Sequence, residues 1–172
     1  SDIIWNKPNP MPEPVKDRPT KSHEYIFLLT KSAKYYYDHE AIKEKGNQNR
    51  IGELGKAVRK RNHGGRNDGF TVASGTVGDG MTRNKRSVWR ITTKPYSGAH
   101  FATFPEELPE VCIKAGTKKS DVVLDIFAGS GTTLRVASKL GRKGIGIELN
   151  PEYIKILKKR CKIESMSLEA FV

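Results

Sequence analysis

The chain has 172 residues and a formal net charge of +12, a length that suits one domain with a real core or one domain with a small insert. Its two cysteines, Cys112 and Cys161, form no Cys-x-x-Cys pair, which argues against a disulfide framework and a structural zinc site and is typical of a reducing compartment. The sequence contains neither an apolar run of transmembrane length nor a visible signal peptide. We therefore expect a cytoplasmic protein that does not associate with a membrane.

Positive charge is concentrated in the middle of the chain. Residues 39–100 contain thirteen Lys/Arg and five Asp/Glu, whereas residues 1–38 contain six and five. This excess favours an anionic partner, with nucleic acid first, although a solvated lysine-rich surface has the same composition. The same stretch is rich in glycine and lacks periodicity, so we predict that it is loop-rich.

Regular elements are predicted on both sides of this stretch. The short, aromatic-rich runs "DIIW" and "EYIFLLT" predict strands, and "PEELPEVCIKAG" predicts a helix that ends at Gly116. Further along, "DVVLDIFA" predicts a strand buried on both faces, and "GIGIEL" a second buried strand. "GTTLRVASKLG" predicts a helix closed by Gly141, and "NPEYIKILKKRC" one capped by Asn150. Residues 121–161 therefore predict a β-α-β-α unit with a parallel sheet in an α/β fold.

The turn "AGSGTT" lies at the carboxyl end of the first of these strands, where open α/β sheets bind ligands. Glycine lets the backbone approach a ligand closely, and a helix start offers free N–H groups. The turn lacks the lysine of a Walker loop, and Leu134 stands where a dinucleotide fingerprint needs its third glycine. S-Adenosylmethionine fits better, because Glu148 supplies a carboxylate where ribose hydroxyls are bound. A turn kept for packing, with Glu148 solvated, is the alternative.

Three segments together resemble a known enzyme family. The segment "VLDIFAGSGTTLRVASKLGRKGIGIELNPEYI" resembles the cofactor-binding segment of amino-group DNA methyltransferases, and "AHFATFPEELPEVCIKAGT" resembles their other cofactor segment. The segment "IIWNKPNPMPEPVKDRPTKSHEYIFLLTKS" resembles the block that these enzymes carry after their catalytic motif. This order is that of the β class, which methylates N4 of cytosine or N6 of adenine in DNA, often within restriction–modification systems.

The resemblance implies a methyltransferase-type, Rossmann-like α/β sheet with three parts. Residues 1–38 would lie on the catalytic side, residues 39–90 would be the basic target-recognition insert, and residues 91–172 would bind S-adenosylmethionine. The implied cofactor residues are Phe101, Thr103, Phe104, Pro105, Asp125, Phe127, Gly129, Gly131, Thr132 and Glu148. A contact between an aromatic ring and a sulfonium contributes about 0.5–2 kcal/mol, and an ordinary core position is the alternative for Phe101 and Phe104.

Double-stranded DNA is the partner that the resemblance implies. The expected contacts come from Arg59, Lys60, Arg61, Arg66, Arg83, Lys85 and Arg86, because arginine and lysine neutralise phosphates and arginine is the commonest reader of guanine. A solvated charged loop would have the same composition. The family implies a prokaryotic or phage-encoded protein associated with the nucleoid.

The family's catalytic tetrapeptide, Asp/Ser/Asn-Pro-Pro-aromatic, does not occur in these 172 residues, which contain no Pro-Pro pair. In the permuted order this motif precedes "DIIW", so we expect a further N-terminal segment or another chain to supply it. The expected protein partner is either this N-terminal segment or a second copy of the chain in a homodimer. A non-catalytic subunit and an inactive remnant are the alternatives.

The upstream block holds three candidates for contacts with an extruded base. Trp5 is a candidate for stacking, and Lys7 and Asn9 are candidates for hydrogen bonding. A strand end and a surface loop are the other interpretation of the same residues. His23 and Glu24 point to opposite faces of a strand, so we expect no metal site.

Overall fold

The computed structural model describes residues 1–46, 82–93 and 104–161. The chain divides into two compact units, of which the larger contains Ser1–Asp38 and Arg86–Val172 and the smaller is His39–Lys85. In these described ranges the strands are β1 (Asp2–Asn6), β2 (His23–Phe27), β3 (Glu44–Lys45), β4 (Thr82–Arg83), β5 (Val88–Arg90), β6 (Val122–Asp125) and β7 (Lys143–Gly146). The helices there are α1 (Glu107–Gly116), α2 (Thr132–Lys139) and α3 (Pro151–Cys161).

The described residues of the smaller unit include a short two-stranded sheet. Strand β3 pairs antiparallel with β4, and Glu44 lies opposite Arg83. Glu40–Ile42 forms a single 3₁₀ turn before β3, and Ile42 is its buried residue.

The first sheet of the larger unit has β1 at its centre, antiparallel to β2 and parallel to β5. Trp5 of β1 lies opposite Trp89 of β5, and both are 4% exposed. Helix α1 covers this pair with Leu108 and Val111, which closes a core around the two indole rings. The predicted strand at "DIIW" is confirmed, while the one at "EYIFLLT" begins earlier, at His23, and ends at Phe27.

The second sheet is the predicted β-α-β-α unit. Strands β6 and β7 are parallel, α2 connects them, and α3 follows β7, so the predicted order is confirmed. Helix α1 ends at Gly116 as predicted, and Gly141 after α2 has φ +73°. The predicted cap of α3 is present, because the Glu152 amide donates to Asn150 Oδ1 at 3.0 Å.

Helix α2 packs directly on one face of this second sheet. Leu134 lies so close to β7 that a Cβ at Gly146 would stand 2.6 Å from its Cδ1. Glycine therefore lets the helix approach the strand backbone. Ile113 of α1 and Val136 of α2 extend the same packing to Val123 of β6.

The opposite face of the second sheet is exposed, which corrects the prediction that the β6 run is buried on both faces and the β7 run is buried. Val122 and Leu124 of β6 are 53% and 59% exposed, and Ile145 and Ile147 are 54% and 52% exposed. An apolar run shows that a strand has two apolar faces, but not that the described residues supply a cover for each. Among the described residues, β6–β7 and β2-β1-β5 form separate sheets instead of the single predicted sheet.

Candidate functional site

The glycine turn after β6 has a backbone shape that requires glycine. Gly129 has φ +50° and Gly131 has φ +79°, in the left-handed region that other residues adopt only with strain. The Gly131 amide donates to the Ala128 carbonyl at 2.7 Å, which closes the turn. Helix α2 starts at Thr132, so its first amides have no carbonyl partner within the helix and offer donors at the turn.

Glu148 joins this turn to the end of β7. Its Oε2 accepts from the Gly129 amide and its Oε1 accepts from the Asn150 amide, each at 2.8 Å. The strand ends are also tied by the Ala128 amide, which donates to Ile147 O at 2.9 Å. The sequence placed the turn and the acidic residue in one site, and the structure brings them into direct contact. A carboxylate has about four lone-pair positions, so it can accept several hydrogen bonds at once.

Two large apolar side chains stand exposed beside the turn. Phe127, a predicted cofactor residue, is 84% exposed, and its amide donates to Asp125 Oδ1 at 3.0 Å. Leu149, which directly follows Glu148, is 94% exposed and was not among the predicted residues. Both exposed apolar side chains lie next to the first amides of α2 and the Glu148 carboxylate. This combination suits a ligand that is partly apolar and partly polar.

The side of the turn that faces α3 is tightly packed. A Cβ at Gly131 would lie 2.8 Å from Leu157 Cγ and 3.2 Å from Cys161 Sγ. Ser130 and Thr132 are 4% and 6% exposed, although both have polar side chains. The Thr132 hydroxyl accepts from Arg160 Nη1 at 3.3 Å, so this predicted cofactor residue is held from within the protein.

Sequence reasoning missed Ser130 and Arg160. Arg160 stands beside Lys158 and Lys159 in the last turn of α3, and a basic cluster at a helix end is typical of a solvated surface. The sequence signal that favours a contact of Arg160 with the turn is its position three residues after Leu157, because this spacing places both side chains on the same face of α3.

The other predicted cofactor segment is described only in part. Phe101 and Thr103 lie outside the described residues. Phe104 packs against the Trp5–Trp89 cluster, which fits the alternative of an ordinary core residue, and its cofactor role stays a prediction. Pro105 is buried, and its carbonyl accepts from the Leu108 amide at 3.1 Å at the start of α1.

The three candidates for base contacts all have structural partners. Trp5 is buried, and its Nε1 donates to the Ile91 carbonyl at 2.8 Å, so its ring offers no open face for stacking on a base. Lys7 pairs with Glu24. Asn9 Nδ2 donates to Thr93 O at 3.1 Å, and Asn9 Oδ1 accepts from the Thr93 amide at 3.0 Å. The interpretation as a strand end and a loop fits these contacts better.

Three of the predicted DNA contacts are described by the structure. Arg83 Nε donates to Glu44 Oε1 at 2.9 Å, so its charge is partly compensated within the smaller unit. Lys85 is half-buried and Arg86 is exposed. The remaining candidates, which are Arg59, Lys60, Arg61 and Arg66, lie outside the described residues.

The part of the chain that the structure describes contains neither a cluster of metal-ligating residues nor a membrane-spanning helix. There, no three His, Cys, Asp or Glu residues stand close enough together to hold a metal ion. Over the same residues, no helix has the length and apolar character needed to cross a membrane.

Residues 1–159 match the family model N6_N4_Mtase, described as "DNA methylase". The chain is 48% identical over 168 residues to the Type II methyltransferase M.Cfr9I of Citrobacter freundii, a match that covers 98% of this chain and 46% of that protein. It is 44% identical over 160 residues to the Type II methyltransferase M.SmaI of Serratia marcescens, covering 93% and 45%. The chain therefore spans about half the length of these curated relatives.

Solved structures with the same fold include the PvuII DNA methyltransferase (cytosine-N4-specific), with a TM-score of 0.64 and 23% identity over 96% of this chain and 52% of that one. The M1.HpyAVI–SAM complex has a TM-score of 0.59 and 26% identity, over 94% of this chain and 61% of that one. The predicted methyltransferase-type α/β fold is confirmed.

Proposed function

Because the chain belongs to the N6/N4 DNA methylase family, we propose that it is the cofactor-binding and target-recognition part of a DNA methyltransferase. The enzyme would transfer a methyl group from S-adenosylmethionine to the exocyclic amine of cytosine (N4) or adenine (N6) in double-stranded DNA. The observation that carries the proposal is the contact between the Glu148 carboxylate and the amide of Gly129.

The residues at the turn fit S-adenosylmethionine. This cofactor has a ribose with two hydroxyls, a zwitterionic methionine part and an electrophilic methyl on a sulfonium, which is the group that the reaction moves. Glu148 would accept from the ribose hydroxyls, and the turn of Gly129 and Gly131 would lie against the methionine part. The exposed ring of Phe127 is available for a cation–π contact, which stabilises a sulfonium without a counter-charge that would attack it.

The backbone of the turn contributes rigidity rather than chemistry. Its hydrogen bond from Gly131 to Ala128 and its link to Glu148 fix the direction of the amides before a ligand arrives. Groups that are already oriented lose little freedom on binding, so more of the interaction energy remains as affinity. The proposed role of this part of the protein is therefore to hold the methyl donor in one position.

Target recognition is proposed for residues 39–90. This stretch carries most of the excess positive charge of the chain, and the charge suits contacts with DNA phosphates. The similarity of the chain to the Type II methyltransferases M.Cfr9I and M.SmaI supports this proposal. The same similarity favours an enzyme over a non-catalytic subunit or an inactive remnant.

The catalytic tetrapeptide is proposed to come from polypeptide other than these 172 residues, which contain no Pro-Pro pair. Methyl transfer needs acceptors for the protons of the target amine and an aromatic ring that holds the base. Trp5, the candidate for such a ring, is buried. Any methyl transfer by this chain would therefore require the missing groups in cis or in trans.

The test is transfer of labelled methyl from S-adenosylmethionine to DNA by the intact protein, followed by digestion and identification of the methylated nucleoside. N4-methylcytosine or N6-methyladenine supports the proposal and names the target base. Label in C5-methylcytosine, or no label in DNA at all, would overturn it. A parallel assay of the 172-residue chain should give no transfer, and activity should appear when a segment carrying the tetrapeptide is added.

A further inference from the structure

The last turn of α3 reaches back to the glycine turn through one side chain. Arg160 Nη1 donates to the Ser130 carbonyl at 3.0 Å, to the Ser130 hydroxyl, and to the Thr132 hydroxyl at 3.3 Å. Ser130 lies between the two glycines of the turn, and Thr132 is the first residue of α2. One guanidinium therefore contacts both the middle and the end of the turn.

The two residues that Arg160 contacts have an unusual environment. Over residues 1–46, 82–93 and 104–161, Ser130 and Thr132 are the only buried polar residues. A buried hydroxyl or carbonyl without a hydrogen bond destabilises a protein, because the group has left water without gaining a partner. Arg160 supplies a donor to both residues, so it removes this penalty at the turn.

Apolar packing comes from the same face of α3. Arg160 and Cys161 follow Leu157 by three and four residues, so both side chains lie next to that of Leu157 on one face of the helix. Leu157 and Cys161 lie close to Gly131, as the 2.8 Å and 3.2 Å distances from its ideal Cβ to Leu157 Cγ and Cys161 Sγ indicate. Leu157 and Cys161 thus limit the position of the turn, while Arg160 fixes the direction of its polar groups.

We infer that Arg160 is a positioning residue for the methyl donor. By holding Ser130 and Thr132, it keeps the turn in the shape that receives the methionine part, without touching the cofactor itself. This inference rests on the proposed function and adds to it a residue on the far side of the turn. All three of these contacts come from Nη1, so a lysine, which keeps the charge and has three donors on one nitrogen, is the conservative replacement, whereas glutamine has no charge.

The experiment compares Arg160→Gln and Arg160→Lys with Lys159→Gln, an exposed neighbour on the same helix, in the intact protein. Dissociation constants are measured for S-adenosylhomocysteine, which contains the amino-acid part, and for adenosine, which lacks it. Arg160→Gln should weaken the binding of S-adenosylhomocysteine about tenfold, which corresponds to the loss of about one charged hydrogen bond, and should change the affinity for adenosine by less than about twofold. Arg160→Lys keeps a charged donor and should lose less affinity for S-adenosylhomocysteine than Arg160→Gln does. Lys159→Gln should bind both ligands as the parent does.

A second measurement separates positioning from general loss of structure. In a Ser130→Ala/Thr132→Val background, Arg160→Gln should cause a smaller further loss of affinity than in the parent, because the two hydroxyls that Arg160 orients are gone and only its contact with the Ser130 carbonyl remains. Equal loss of affinity for both ligands, or parental affinity in Arg160→Gln, would overturn the inference. Failure of the parent protein to bind S-adenosylhomocysteine would instead overturn the proposed function, so the two failures are distinguishable.

Discussion

Glu148 and Gly129 are 19 residues apart, and the carboxylate of the first accepts a hydrogen bond from the amide of the second at 2.8 Å. The same carboxylate also accepts from the Asn150 amide at 2.8 Å, so it connects the end of β7 to the turn after β6. The residue proposed to bind the ribose therefore also shapes the loop proposed to bind the methionine part. Substitution of Glu148 should therefore affect both parts of the proposed cofactor site.

Glu148→Gln should weaken S-adenosylmethionine binding by about 10- to 100-fold in calorimetry on the intact protein. Glutamine has nearly the same shape, but its NH₂ group would face an amide that also donates, so one of the two backbone bonds is lost. Glu152→Gln is the control, because the Glu152 side chain is 70% exposed on α3 and pairs with Lys155. Parental affinity in Glu148→Gln would contradict the proposed cofactor site.

Three glycine-to-alanine substitutions should differ in how much they lower the free energy of unfolding, because positive φ and steric contact with a new Cβ act separately. Gly131→Ala meets both a positive φ of +79° and Leu157 Cγ at 2.8 Å, and should lower the free energy of unfolding by about 2–4 kcal/mol. Gly141→Ala meets a φ of +73° with nothing within 4 Å, and should cost about 1–2 kcal/mol. Gly116→Ala has neither problem and should be neutral or slightly stabilising.

Urea denaturation of the three glycine variants measures this ranking. If Gly131→Ala and Gly141→Ala cost the same, then Leu157 does not press on the turn as the structure has it. If Gly116→Ala is as harmful as the others, the losses do not come from backbone strain.

Glu106 should make stability depend on pH in the acid range. The hydrogen bond from Lys139, with the nearby charges of Arg135 and Lys139, lowers the pKa of this carboxyl below its ordinary value of 4.5. A lowered pKa in the folded state gives stability that is present above about pH 4.5 and is lost as the pH falls through the folded value. The side chain is 35% exposed, so the contribution is about 0.2–1 kcal/mol.

Thermal unfolding between about pH 3 and pH 7 tests this dependence. Glu106→Gln should unfold at a lower temperature than the parent near pH 7, and the two should converge as the pH falls below 4. Glu152→Gln should track the parent throughout. A constant difference between Glu106→Gln and the parent at every pH would mean that the carboxylate charge is not the cause.

Neutralising the basic insert should reduce the salt dependence of DNA binding. Substituting Arg59, Lys60 and Arg61 by glutamine should lower the slope of log K against log salt by about 0.9 for each phosphate contact that is lost. Arg83→Gln is the matched comparison, since Arg83 already pairs with Glu44 and should change the slope less. A slope equal to that of the parent in the triple variant would place the DNA contacts elsewhere.

The local parts of this fold could be predicted from the sequence, because each depends on near neighbours. The β-α-β-α order follows from two apolar runs, and the cap of α3 follows from Asn150 and Pro151. The pairing of the turn with Glu148 was also predictable, since parallel strands end at the same edge of their sheet.

The long-range contacts could not be predicted in the same way. Trp5 is in the core because β5, some 84 positions later, brings Trp89 beside it, and a strand with one tryptophan does not reveal which neighbour covers its ring. Arg160 has the same neighbours in sequence as a solvated lysine, and only the packing of α3 shows its contact with Ser130. Likewise, two apolar faces on β6 did not reveal that one of them has no cover among the described residues.

The uncovered face of β6 and β7 has a practical consequence for handling these 172 residues. Val122, Leu124, Ile145 and Ile147 are each more than half exposed, on a sheet that has only two strands within the described residues. Contiguous apolar surface beside unpaired strand edges promotes self-association. Recombinant production of these 172 residues should give oligomers or inclusion bodies at concentrations where the high net charge alone would keep a fully covered protein dispersed. Polar replacement of Leu124 and Ile145 should therefore raise the soluble yield of the chain.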